Sequence, residues 1–248
     1  MHLGAVVEYD GTRYAGFQRQ KREITIQEEI EKALASATQE QTKIVGAGRT
    51  DAGVHAIGQV ISFSTAWKRS LSELQRALNA LLPSDIAILE LLEVSPDFHA
   101  RKSALSRKYQ YTIFNRPVRS PLSRLYAYRW VGELDLEAMR EALGSLIGVH
   151  DFASFGRARP GGSTMCQMLE VDCHREGDYI YIDLVANAFL KRMVRTIVGT
   201  LLLVGRGELS PQGFKEVLEA RDRSRGGGLL PAHGLCFTKV SYPRRDAI

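Results

Sequence analysis

Val45-Gly46-Ala47-Gly48-Arg49-Thr50-Asp51-Ala52-Gly53-Val54-His55 is a glycine-rich turn between two β-branched runs, and it carries one carboxylate, Asp51, at its tip. Thr42 to Val45 on one side and Gln59 to Thr65 on the other read as strands, because Ile61, Phe63 and Thr65 alternate with Val60, Ser62 and Ser64. The turn therefore projects from a sheet edge or end, and a loop pinned on two strands can hold an acid in place. Three glycines in so short a span mark positions where the backbone takes a positive φ or is approached closely by another group. No Gly-Lys-Ser/Thr follows, which excludes a phosphate-cradling P-loop, and the glycine spacing does not fit the dinucleotide fingerprint. On the loop alone, Asp51 reads equally well as a turn cap and as a catalytic acid.

Outward from this loop the pattern is that of an α+β protein. Leu3 to Tyr9 reads as a strand, and the segment Asp10 to Gln20, with Arg13, Arg19, Tyr14 and Phe17, is rich enough in rings and cations to be a candidate RNA contact. Thr25 with Glu28 three residues on has capping-box spacing and opens a helix whose buried face is Ile26, Ile30, Ala33, Leu34 and Ala37. Ser70 to Leu81 is a second helix with Leu71, Leu74, Leu78 and Leu81 in phase, ended by Pro83, and Ile86 to Val94 returns as a strand. The order is β-α-β-β-α-β, with helices on one face of a sheet.

Further on, Arg107 to Phe114 and Tyr126 to Trp130 read as strands, and Asp135 to Ile147 as a helix burying Leu136, Met139, Leu143 and Ile147. A Gly, Pro and Arg loop spans Gly156 to Ser163. Leu169 to His174 and Tyr179 to Ala186 form a hairpin turning near Glu176-Gly177-Asp178. A helix is expected from about Phe189 to Val204, another from Ser210-Pro211, and a closing strand from Cys236 to Tyr242. The expected division is an amino-terminal lobe, 1–104, carrying the Asp51 loop, and a carboxy-terminal lobe, 105–248.

At 248 residues and 44% apolar content the chain can bury a substantial core. The start, Met1-His2-Leu3-Gly4-Ala5, lacks the basic and apolar regions of a signal peptide, and the apolar run Met193 to Gly205 is too short to span a bilayer. A cytoplasmic address without membrane attachment is the expectation. Cys166, Cys173 and Cys236 are odd in number and lack CxxC spacing, and the six histidines include no His-x-x-x-His pair, so neither disulfides nor a metal is expected.

The net charge of +5 is regional. Between Phe98 and Gly132 lie Arg101, Lys102, Arg107, Lys108, Arg116, Arg119, Arg124 and Arg129 with no carboxylate, which leaves 25 basic against 28 acidic residues elsewhere. Phe98, Tyr109, Tyr111, Phe114, Tyr126, Tyr128 and Trp130 are interleaved with them, the combination of cations and stackable rings that suits nucleic acid. The bland alternative is a pair of strands with a solvated basic face. Arg195 stands apart as the only charge between Met193 and Gly205; among Val194, Ile197, Val198, Leu201 and Leu202 it must be paired, bonded to a helix end or able to reach water.

Four stretches in order carry a resemblance. Glu8-Tyr9-Asp10-Gly11 with Tyr14, Gly16, Phe17, Gln18 and Gln20; Gly48-Arg49-Thr50-Asp51-Ala52-Gly53-Val54-His55; Phe98-His99-Ala100-Arg101 with Ser103-Ala104 and Arg107-Lys108-Tyr109-Gln110-Tyr111; and Asn187-Ala188-Phe189 with Met193-Val194-Arg195 and Ile197-Val198-Gly199 resemble the motifs of the TruA family of tRNA pseudouridine synthases. One departure is Phe17, where the family usually has Trp. The resemblance implies a pseudouridine synthase fold, two α/β lobes with mainly antiparallel sheets and a cleft between them. It also implies isomerisation of uridines 38 to 40 of the tRNA anticodon stem-loop, no cofactor, and a homodimer gripping tRNA.

By the same resemblance Asp51 is the catalytic carboxylate and Arg195 its partner. Arg49 helps flip and position the target, Tyr109 stacks beside it, and Arg101 and His55, inside matched motifs, complete the substrate-binding set. Strand alternation puts Tyr109 and Tyr111 on one face, so one or both can be core. Two other classes compete with this reading: a catalytically silent RNA-binding module or chaperone, which needs the basic segment but not Asp51 with Arg195, and a glycoside hydrolase, which usually needs a second acid that the sequence does not offer.

Overall fold

The computed structural model describes residues 1–243. In chain order its elements are β1 (His2–Tyr9), α1 (Ile26–Thr38), β2 (Val45–Gly46), β3 (His55–Ser64), α2 (Leu71–Leu81), β4 (Ile86–Glu93), β5 (Ser106–Asn115), β6 (Tyr128–Trp130), α3 (Leu136–Gly144), β7 (Gly148–Asp151), β8 (Met165–Glu176), β9 (Tyr179–Ala186), α4 (Met193–Gly205), α5 (Pro211–Ala220) and β10 (Leu235–Ser241). They form two compact units, Met1–Arg107 with the segment from Cys236 onward, and Lys108–Leu235. The pairing is mainly antiparallel. No helix among the described residues is long and apolar enough to cross a membrane.

In the first unit the strand order is β4-β1-β3-β10, with β2 beside β3. β1 is antiparallel to both β3 and β4, whereas β10 runs parallel to β3, with Cys236 opposite His55 and Phe237 opposite Ala56. This closing strand is where the structure departs from a division at 104/105. The expectation grouped Cys236 to Tyr242 with its neighbours in sequence, but β10 pairs with β3, and Tyr242 donates its hydroxyl to the Ala100 carbonyl at 2.7 Å. A strand joins the sheet that satisfies its backbone, however distant in sequence.

Both helices of this unit start where their caps predict. Thr25 accepts from the Glu28 amide at 3.4 Å, and Ser70 forms a complete reciprocal capping box with Glu73. Leu82, extended ahead of Pro83, ends α2. α1 buries Ile26, Ile30, Ala33 and Leu34, and α2 buries Leu74 and Leu78, while Leu81 is half exposed. Asn79 exchanges two bonds with the Ile88 backbone, at 2.9 and 2.8 Å, which fixes α2 on β4.

In the second unit the order is β5-β9-β8-β7, with β6 parallel to β5. β8 and β9 form the expected hairpin; Glu176 pairs with Tyr179 across a two-residue turn, and Gly177 takes φ +55°. α3 is shorter than its sequence pattern suggests: it stops at Gly144, and Leu146 rather than Ile147 enters the core, since the chain has left helical phase. α4 begins at Met193, four residues later than expected, behind Arg192 in the left-handed region at φ 67°. Nearly all of α4 is buried.

A loop lies directly against α4. A Cβ added at Gly199 would meet the Gly228 carbonyl oxygen at 1.9 Å, and the Gly227 amide donates to Thr200 Oγ1 at 2.8 Å. Gly199 is thus set by close backbone approach. Gly199→Ala should lower stability by roughly 1–3 kcal/mol or more through overpacking, although it raises helix propensity. Urea unfolding checks this, and a variant as stable as the parent would refute the contact.

Candidate active site

Asp51 sits at the tip of the loop between β2 and β3, and that loop is braced by buried polar groups. Gln59, fully buried on β3, accepts from the Gly48 amide at 3.3 Å and donates to the Gly48 carbonyl at 2.9 Å. The Ala47 amide donates to the Val60 carbonyl at 2.8 Å. Tyr9 shares a 2.8 Å hydroxyl bond with Thr50 and also bonds Gln59. Burial pushes the Tyr9 phenol well above its usual range, so the hydroxyl stays protonated. The β1 register slips between Val7 and Tyr9, a bulge at the strand end that faces this loop.

A second layer comes from the segment after β1. The Phe17 amide donates to the Thr50 carbonyl at 3.1 Å, and Gly16, at φ +101°, is required there because a Cβ would stand 2.6 Å from the Thr50 oxygen. Phe17 lies against Gly46, and its ring centroid is 6.3 Å from that of Tyr9. The Asp51 carbonyl accepts from the Val54 amide at 3.2 Å, and Gly53 takes φ +77°. The rings of Asp10 to Gln20 are therefore not an RNA surface. Tyr14 and Phe17 are buried, Tyr14 and Arg13 are bonded to Asp85, and Arg19 to Glu31.

Arg107 is the brace that the sequence concealed among the other cations. Its guanidinium donates to the Ala47 carbonyl at 3.1 Å, to Arg101 O at 2.6 Å and to Ala104 O at 3.3 Å, tying the Asp51 loop to the segment after Phe98. His55 is buried at the start of β3 and accepts from the Gly11 amide through Nδ1 at 3.1 Å, with Asp10 Oδ1 also 3.1 Å from that nitrogen. One nitrogen cannot accept from Gly11 and donate to Asp10 together. The amide bond needs a bare Nδ1 and the ion pair a protonated one. Both geometries hold the ring inside its own unit. Arg49 and Arg101 are exposed, and Asp51 is half-buried.

In the second unit Tyr109 is buried on β5 and meets Phe189 edge-on, with centroids 5.0 Å apart. Tyr111, on the same face, is core: its hydroxyl donates to the Pro231 carbonyl at 2.9 Å, and burial pushes its phenol far up despite the nearby Arg195 charge. Arg195 is half-buried, and Nε donates to the Leu230 carbonyl at 2.7 Å, which orients the guanidinium.

The basic segment is partly spent on the protein itself. Arg116 pairs with Asp178, Arg129 bonds the Arg116 and Pro117 carbonyls, and Lys108 lies 3.3 Å from buried Asp183. Charge reversal at Lys108 would strand that carboxylate, so Lys108 is not a clean probe of RNA binding. Asp172, His174 and Asp183 could offer ligand atoms within 4.8 Å of one another, but the Lys108 ammonium takes the charge-balancing place that a cation would need. Cys166, Cys173 and Cys236 are free thiols; burial raises the first two to about 11 and Cys236 to about 12, which keeps them protonated at neutral pH.

A carboxylate on a loop held from two sides can serve as nucleophile or base without reorganising. The family model described as tRNA pseudouridine synthase matches residues 5–101 and 142–243. Proteins named tRNA pseudouridine synthase A are similar over almost the whole chain. That of Vibrio campbellii is 44% identical, covering 98% of this chain and 92% of that protein; that of Geobacter sp. is 43% identical, covering 98% and 99%; and that of Chloroflexus aurantiacus is 46% identical, covering 97% and 88%. The chain belongs to the tRNA pseudouridine synthase family, an isomerase family.

The braces give a direct expectation. Gln59→Leu, close in volume, leaves both polar groups of Gly48 without their partner, at a cost of about 1–3 kcal/mol in stability where water does not replace it. Turnover should fall roughly 10- to 100-fold as the acid loses its position. Paired urea unfolding and single-turnover assays test this; unchanged turnover would show that the Gly48 clamp does not hold Asp51.

Proposed function

We propose that this protein converts uridines 38, 39 and 40 of the tRNA anticodon stem-loop to pseudouridine, with Asp51 as its catalytic carboxylate. The observation that carries the reading is the acid Asp51 at the tip of a loop braced by Gln59, Tyr9 and Arg107, in a chain of the tRNA pseudouridine synthase family. The reaction breaks the bond from uracil N1 to ribose C1′, turns the base while it is held, and joins C5 to C1′. The C5 proton is then lost and N1 regains one, so no net redox change occurs. An ionised Asp51 serves either as nucleophile at the sugar or as base for a sugar proton.

In this reading Arg195, its Nε fixed by Leu230, is the cationic partner of Asp51. Arg49 helps turn the nucleotide out of its stack, at a cost of roughly a few kcal/mol. Tyr109, steadied by Phe189, stacks on the target base, and Arg101 meets the RNA. His55 acts from inside, by holding Gly11 and the start of β3. No cofactor takes part. A homodimer and a cytoplasmic location belong to the same proposal, and three free thiols suit a reducing compartment.

Asp51→Asn keeps the shape and removes the charge. It should abolish pseudouridine formation while tRNA affinity stays within a few fold. Turnover by the purified variant, free of host enzyme, would remove Asp51 from the chemistry. Tyr109→Phe should keep packing and affinity, whereas Tyr109→Ala should lose roughly 1–3 kcal/mol of base stacking. Tritium release from [5-³H]uridine tRNA separates ring from hydroxyl: equal, near-normal release by both variants would take Tyr109 out of the site.

A further inference from the structure

Within the second unit, two segments far apart in sequence are stitched together two residues beyond Phe189, the ring that meets Tyr109 edge-on. The Arg157 amide donates to the Lys191 carbonyl at 3.4 Å and the Lys191 amide to the Arg157 carbonyl at 3.2 Å, an isolated antiparallel bridge. The bridge brings Arg157 alongside Lys191 and Arg192, and all three side chains are exposed. Among the described residues none of the three makes an ion pair with a carboxylate. Lys191 and Arg192 come two and three residues after Phe189 and directly precede α4, a helix of 13 residues with no acid in its first turn and no side-chain cap.

Three unpaired cations gathered at one point repel one another, and a solvated surface normally mixes charges of both signs. Arg192 adds a cost of its own. As a non-glycine residue at φ 67° it is strained, and glycine would fit that backbone better. Neither the core nor the helix cap needs its side chain.

We infer that Arg157, Lys191 and Arg192 form a phosphate clamp that holds the RNA backbone next to the nucleotide stacked on Tyr109. This rests on the functional reading above and adds a docking surface to it. The clamp lies outside the segment Phe98 to Gly132, where composition alone located the cations. Its work is uniform binding: phosphates are held equally in the ground state and the transition state, so losing it raises Kd and KM and leaves kcat nearly unchanged.

The test uses the full-length protein and unmodified tRNA, with Kd measured across a salt series and single-turnover rates at saturating tRNA. Arg192→Gly removes one charge while relieving the left-handed strain, so it should fold at least as well as the parent. Its log–log salt slope should become shallower by about 0.7–0.9, one phosphate contact. The triple variant Arg157→Gln, Lys191→Gln, Arg192→Gly should lose two to three such units and bind at least about tenfold more weakly at moderate salt, with the rate at saturation within about twofold. Parental Kd and slope in both variants would overturn the clamp, as would a fall in saturated rate at unchanged Kd. The two readings fail separately: an active parent with unaffected variants refutes only the clamp, whereas an inactive parent whose salt-dependent binding is lost in the variants refutes only the enzymatic reading.

Discussion

The Asp51 loop depends on burying hydrogen-bonding groups so that each meets a partner. Gln59 is fully buried on β3, where an unpaired amide would cost about 1–3 kcal/mol, and it is satisfied by both polar groups of Gly48. Arg107 does similar work from the other side, spending its guanidinium on the carbonyls of Ala47, Arg101 and Ala104. A glycine-rich loop has the largest conformational entropy to lose on ordering. These bonds, with the Tyr9–Thr50 pair, offset that loss where a reacting acid must stay fixed.

Packing then allots the aromatic and cationic residues to different tasks. Phe17 and Tyr14 support the loop from beneath, and Tyr111 closes the core against Pro231, while Tyr109, two positions away on the same strand face, lies edge-on to Phe189. Arg13, Arg19, Arg107, Arg116 and Arg129 are engaged by carboxylates or carbonyls of the protein. A basic composition therefore overstates the surface left for RNA. The cations that remain unpaired near Phe189 lie in segments that the charge count passed over.

The sequence alone determined most of the elements and their type, though not the short edge strand β7. Alternation along β1, the caps Thr25 and Ser70, Pro83 after α2 and the Glu176-Gly177-Asp178 turn are all local, and local rules read them within a residue or two, whereas β3 starts at His55, four residues ahead of the alternation at Gln59. The loop bearing Asp51 was legible for the same reason, since glycine spacing is a backbone property. Helix ends without a strong signal were not: α3 stops at Gly144, and α4 starts only after the left-handed Arg192. Tertiary structure decided whatever depends on partners remote in the chain. Only the folded unit shows that β10 pairs with β3, that Arg107 is a brace, that His55 holds Gly11, and that Arg157 lies beside Lys191. A side chain's type limits the bonds it can make, but burial and geometry, which arise only when distant segments meet, select among them.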